Sequence, residues 1–165
     1  MYSGKTTVGE LVASVTGREF IDTDRLIESE QGTSVSDIFE AKGEDGFRAL
    51  EREVVQRTAS REGLVMALGG GAVLDARNVD DARSNGVVYY LRTTPAAVVS
   101  RAAGAGGRPL LEGRGAADIE ELMKSREKSY LGAAHAVIDS VECDPGEVAD
   151  EIIADFAERA KGQGK

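Results

Sequence analysis

An α/β fold, a parallel sheet covered by helices on both faces, is predicted for this chain on three observations. Short apolar runs of strand length alternate with longer amphipathic stretches from end to end. The short runs show little polar alternation, as expected of strands buried on both faces. Connections of this length between them suit strand–helix–strand units and parallel pairing.

Taken in order, Val8, Leu11, Val12 and Val15 lie on one face of a first helix. Glu19-Phe20-Ile21-Asp22 reads as a buried strand, and Asp22-Thr23-Asp24 as its end and the start of the next helix. Ser34-Val35-Ser36-Asp37 supplies cap residues ahead of Ile38 and Phe39, with Gly43 as a stop. Leu50, Val54 and Val55 continue a helical pattern in the segment after it. Leu64–Leu68 is a second strand running into Gly69-Gly70-Gly71, and Val87–Leu91 a third. Pro95 suits the first turn of a helix through Val98 and Val99. The glycine-rich stretch at about 102–117, with Arg-Pro-Leu-Leu in its middle, reads as a functional lid. Arg126 falls on another helix, Ala136–Asp139 forms the last strand, and Pro145 opens a helix carrying Val148, Ile152, Ile153 and Phe156. No internal repeat or linker divides residues 1–165, which are read as one domain, with a frayed tail from Lys161.

Composition narrows the function. Lys and Arg total 20 against 29 Asp and Glu, a formal net charge of −9. That argues against non-specific nucleic-acid binding and against attraction to anionic membranes. A local cluster of basic residues still suits a small anionic ligand. Cys143 is the single cysteine, so no intrachain disulfide and no multi-cysteine zinc site can form, and a cytoplasmic location is expected. No apolar run approaches the roughly 20 residues that span a bilayer, and Met1–Lys5 carry no signal-peptide core. His135 and Cys143 stand alone and read as structural. The 20 glycines among 165 residues exceed the usual share of about 7 %, and their placement points to ligand sites.

Gly4-Lys5-Thr6-Thr7 at a helix start matches the end of a phosphate-binding loop. There, backbone N–H groups receive phosphate oxygens, lysine reaches the β/γ-phosphates and a hydroxyl ligates Mg2+. The complete pattern needs a glycine six residues before the lysine, and the strand that delivers the loop; neither is present ahead of Gly4. Asp22 and Asp24, at a strand's carboxyl end, suit work on a metal's water shell and on an attacking hydroxyl. Capping of the next helix is the alternative for both. Gly69, Gly70 and Gly71 allow a ligand close to the backbone. Arg48 and Arg126 offer planar forks for a carboxylate or phosphate.

In this order, Gly-Lys-Thr-Thr, Phe-Ile-Asp-Thr-Asp, Phe-Arg-x-Leu-Glu, Gly-Gly-Gly, Arg-Pro-Leu-Leu and Arg-x-x-x-Tyr resemble the shikimate kinase family over nearly the whole chain. The resemblance implies a three-layer α/β/α P-loop kinase fold and transfer of the ATP γ-phosphoryl group to the 3-hydroxyl of shikimate, with Mg2+. It implies that Lys5 stabilises the transferring phosphoryl group, Thr6 ligates the metal and Asp22 holds it through water. Asp24 would bind and activate the hydroxyl. Arg48 and Arg126 would grip the substrate carboxylate beside Gly69, Gly70 and Gly71. Gly4 and Thr7 would complete the ATP site, Arg108 would close over the γ-phosphate, and Arg101 would stack on adenine. Shikimate and ATP are the implied partners, for a cytoplasmic monomer that binds neither nucleic acid nor membrane. The alternatives are another small-molecule kinase, of the gluconate kinase kind, and a truncated non-catalytic relative.

Two departures bear on these expectations. Tyr2 stands where the family has the second glycine of its phosphate loop, and Cys143-Asp144-Pro145 keeps a proline but lacks the arginine two residues before it. The family's sheet has five parallel strands, and the first, central one is expected to be missing here, between the strands ending at Leu68 and Leu91. A gap of two strand spacings, roughly 9–10 Å, would follow. A chain extended upstream by roughly ten to fifteen residues, enough for a strand and its turn, is expected to melt higher and bind ATP more tightly. Equal melting temperatures and equal ATP affinity by calorimetry would refute that expectation.

Overall fold

Cap residues set most element boundaries in the computed structural model, which describes residues 3–102, 116–141 and 143–163. Helix α1 (Lys5–Thr16) starts at Gly4, whose φ of 84° is left-handed. Strand β1 (Glu19–Asp22) ends where Asp22 caps α2 (Thr23–Gln31), its Oδ1 accepting the Asp24 and Arg25 N–H groups at 3.0 and 3.3 Å. Helix α3 (Val35–Ala59) starts with a Ser34–Asp37 capping box. Gly43, expected as a stop, is instead a kink within α3, at φ 69°, after which the helix resumes.

Strand β2 (Leu64–Ala67) leads through the glycine turn into a short 3-10 helix (Ala72–Leu74) and then α4 (Ala76–Ser84). Sequence patterning leaves α4 unassigned because its buried residues, Asn78 and Ala82, are polar or small. Strand β3 (Tyr89–Arg92) starts later than expected. Val88 N–H donates to the His135 Nδ1 at 2.9 Å, while the Val88 carbonyl accepts the His135 N–H at 2.7 Å. A side chain thus replaces part of the ladder there. Helices α5 (Pro95–Ala102) and α6 (Ala116–Ala133), strand β4 (Ala136–Asp139) and helix α7 (Pro145–Gln163) complete the order. The expected lid, with Arg108 in it, lies almost wholly outside the described residues.

Every described strand pair is parallel, in two separate sheets: β1 with β2, and β3 with β4. Between β2 and β3 lies a cavity of about 440 Å³, lined by Val65 and Met66 on one side and Tyr89 and Leu91 on the other. The gap stands where the sequence places it. Strand residues expected to be fully buried are mostly half-buried, because β2 and β3 open onto this space.

Helix α1 joins the halves. Val8 and Val12 are buried against Leu91, Ile138, Val148 and Ile152 of the β3–β4 half. On its other side Gly9 faces β1, where a Cβ would come within 2.5 Å of the Phe20 ring. A second cluster, Ile27, Ile38, Phe47 and Val54, fixes α2 on α3, and Val98 with Ile119 fixes α5 on α6.

His135 is held below the ordinary imidazole range, first by burial and then by the Arg83 and Arg159 charges. Its neutral Nδ1 accepts a hydrogen bond, so its stabilising contribution is complete above about pH 6.5 and is lost as pH falls through its folded pKa. His135→Ala is expected to lower stability by about 1 kcal/mol at pH 7.5, with the deficit shrinking toward pH 5. Thermal unfolding of both proteins across that range checks it.

Candidate active site

The carboxyl ends of the strands, the usual ligand face of an open α/β sheet, gather most of the residues singled out in the sequence. The Ser140 hydroxyl, just past β4, shares its one proton between the Arg92 carbonyl at 2.9 Å and the Ser3 carbonyl at 3.3 Å. That forked contact links the start of α1 to the strand ends. Gly4, Lys5, Thr6 and Thr7 form the N-cap and first turn of α1, the end of a helix at which backbone N–H groups point outward along the axis. Lys5 lines the same cavity as Gly69 and Gly70. Thr6 Oγ1 donates to Asp22 Oδ2 at 2.8 Å. Asp22 therefore caps α2 with one oxygen, the alternative weighed in the sequence, and accepts from Thr6 with the other.

Thr23, fully buried, clamps the end of β2. Its hydroxyl donates to the Ala67 carbonyl at 3.3 Å and accepts the Gly69 N–H at 2.9 Å. Gly69 must be glycine for a packing reason. A Cβ there would lie 2.5 Å from Asp24 Oδ1 and 2.7 Å from Glu51 Oε1. At Gly71 a Cβ would overlap the Arg48 guanidinium. The Gly70 carbonyl accepts from Tyr130 Oη at 2.6 Å and from Arg126 Nη1 at 3.4 Å. Each of the three glycines thus meets one or two of the charged or phenolic groups around it.

Arg48 is fixed from below by Glu51, whose Oε2 accepts its Nη1 at 2.6 Å, and from the side by Glu44 at 3.0 Å. Burial alone would lower the Arg48 pKa, but the Glu51 and Glu44 charges and hydrogen bonds outweigh it and hold the group above the usual guanidinium range. Glu51 is 1 % exposed, and burial pushes its carboxyl up against the opposing pull of Arg48. Its Oε1 is buried without a hydrogen-bond partner among the described residues. Arg126 is also buried, at 7 % exposure. The result is a pair of guanidiniums, Arg48 and Arg126, from two helices at one glycine turn beside Asp24.

Sequence reasoning assigned no role to Glu51, Thr23 or Tyr130. Glu51 stands within Phe-Arg-x-Leu-Glu, and its spacing of three from Arg48 on a helix was the signal for pairing. The Arg101 side chain and all of Arg108 lie outside the described residues. Among the described residues no group of three or more His, Cys, Asp or Glu could by itself cage a metal, and no helix is long and apolar enough to cross a membrane.

Parallel strands between helices, with a helix start, an acid and two guanidiniums at the strand ends, define a fold of the P-loop kinase class. The family model for shikimate kinase matches residues 1–157. A shikimate kinase of Symbiobacterium thermophilum is 41 % identical over all of this chain and 94 % of its own length. One from Moorella thermoacetica is 42 % identical over 92 % of this chain and 87 % of its own. The solved structure of Acinetobacter baumannii shikimate kinase in complex with shikimate superimposes with a TM-score of 0.93 at 36 % identity, covering 96 % of this chain and 89 % of that one. The chain belongs to the shikimate kinase family. A Sinorhizobium meliloti gluconokinase structure, at 17 % identity and a TM-score of 0.58, shares the fold alone, so the gluconate alternative is not favoured.

Gly71→Ala keeps an ordinary backbone conformation (φ −105°) but displaces Arg48 from Glu51. It is expected to lower the melting temperature, because the buried Glu51 carboxylate loses its partner at a cost of up to about 3–5 kcal/mol, and to weaken binding of a carboxylate substrate roughly 10- to 100-fold, the worth of a charged hydrogen bond. Calorimetric titration beside a melting curve measures both.

Proposed function

We propose that this chain transfers the γ-phosphoryl group of ATP to the 3-hydroxyl of shikimate, with Arg48 and Arg126 gripping the carboxylate and Asp24 serving the hydroxyl. The observation that carries this reading is the convergence of both guanidiniums and Asp24 on Gly69–Gly71. Phosphoryl transfer depends on positioning and charge neutralisation more than on covalent catalysis by the protein. The first-turn N–H groups of α1 receive the phosphates, and the Lys5 ammonium meets the β/γ oxygens. Asp24 orients the hydroxyl and takes its proton as the new O–P bond forms and the bridge to ADP breaks. The backbone of Gly69, Gly70 and Gly71 lets the ring lie close. Arg108 is assigned to the γ-phosphate and Arg101 to the adenine by the family resemblance alone, since Arg108 and the Arg101 side chain lie outside the described residues.

Thr6 and Asp22 fit Mg2+: a hydroxyl and a carboxylate 2.8 Å apart are hard oxygen donors of the kind it takes. Thr6 would hold it directly and Asp22 through water, the rest of the shell being phosphate and water. Bound with the nucleotide, it neutralises charge on the phosphates.

A coupled ADP-release assay across hydroxy acids tests the reading. Activity is expected with shikimate and none with gluconate; the reverse pattern would overturn it. A chain that binds shikimate but not ATP in calorimetry would instead be a non-catalytic relative. Asp24→Asn is expected to lower kcat about 100-fold or more with the fold intact. Arg48→Lys, which replaces a bidentate fork with a point charge, should raise KM for shikimate more than it lowers kcat. Steady-state kinetics on each variant decides.

A further inference from the structure

Tyr130 touches three elements at once. Arg126 and Tyr130 are four residues apart on α6, one turn along the same face. The Tyr130 hydroxyl donates to the Gly70 carbonyl at 2.6 Å, while Arg126 reaches that oxygen only at 3.4 Å. The Tyr130 ring stacks on Tyr90 of β3, with centroids 5.1 Å apart. The phenol is therefore tied through its hydroxyl to the turn after β2 and through its ring to the other sheet. It also lines the cavity between them.

The short bond has two effects. A trans peptide points its C=O and the following N–H in opposite directions, so fixing the Gly70 carbonyl fixes the Gly71 N–H as well. It also takes the better position on the carbonyl, so that the buried Arg126 guanidinium sits against the phenol and meets the backbone oxygen only at 3.4 Å. Without the phenol, Arg126 is the nearby donor able to take its place, and closing the 3.4 Å gap would turn the guanidinium toward the backbone. We propose that Tyr130 is a positioning residue for the substrate carboxylate, holding the Gly70 carbonyl so that the Arg126 guanidinium is left for the ligand. This rests on the functional reading above, in which Arg126 grips that carboxylate.

Tyr130→Phe keeps the ring on Tyr90 and removes only the donor. KM for shikimate is expected to rise about 3- to 10-fold, the worth of one hydrogen bond, with kcat and KM for ATP within about twofold. Because Tyr130 acts through Arg126, the same change made in an Arg126→Lys protein should add little to KM for shikimate. A fall in kcat with both KM values moving together, or a full additive effect in the Arg126→Lys background, would mark Tyr130 as merely structural and overturn the proposal. Calorimetric titration of shikimate into the same four proteins separates the two readings. Equal affinity in wild type and Tyr130→Phe overturns the role of Tyr130 alone. A wild-type chain that neither turns over nor binds shikimate overturns the functional reading and this one with it.

Discussion

A carboxylate that is 1 % exposed has to be compensated, and the pairing of Glu51 with Arg48 at 2.6 Å is the constraint around which the site is arranged. Removing one partner of such a pair leaves a buried charge uncompensated, at a cost of about 3–5 kcal/mol. The pair lies on α3 after the Gly43 kink, with Phe47 buried beside it to hold that stretch against α2. Its position then dictates its neighbours. Residue 69 has no room for a side chain between Asp24 and Glu51, and residue 71 has none beside Arg48. The glycines at 69 and 71 follow from the packing of these charged side chains.

Much of this was legible in the residues themselves. All four strands among the described residues were readable from apolar runs, because hydrophobic periodicity survives without tertiary information. Caps at Asp22 and Ser34 were equally local. What escaped was decided by contacts between distant segments. The start of β3 shifted by two residues because a histidine 47 positions away takes a ladder position. Helix α4 buries Asn78 and Ala82, which carry no apolar signal. Gly43 reads locally as a stop, yet packing on both sides of it carries the helix on through a kink.

The site divides in the same way. Asp22, Asp24, Arg48, Arg126 and the glycines could be picked out because their residue types are unusual where they stand. Thr23, Glu51 and Tyr130 act on other protein groups, and their roles needed coordinates. Thr23 is instructive: between two aspartates it drew no role from the sequence, yet it is fully buried and its hydroxyl ties Ala67 to Gly69. Residues that position others carry weaker local signatures than residues that meet ligands.

The division of the strands into two sheets has a mechanical consequence. Asp24, Arg48 and the glycine turn belong to the β1–β2 side of the cavity, whereas Arg126 rides on α6, whose Tyr130 stacks on β3. Helix α1 and the Tyr130–Gly70 bond are among the ties across that space. A carboxylate held by both guanidiniums would act as a further strut between the halves. Ligand binding and the rigidity of the scaffold are then coupled, and by linkage an occupied site stiffens the protein that holds it.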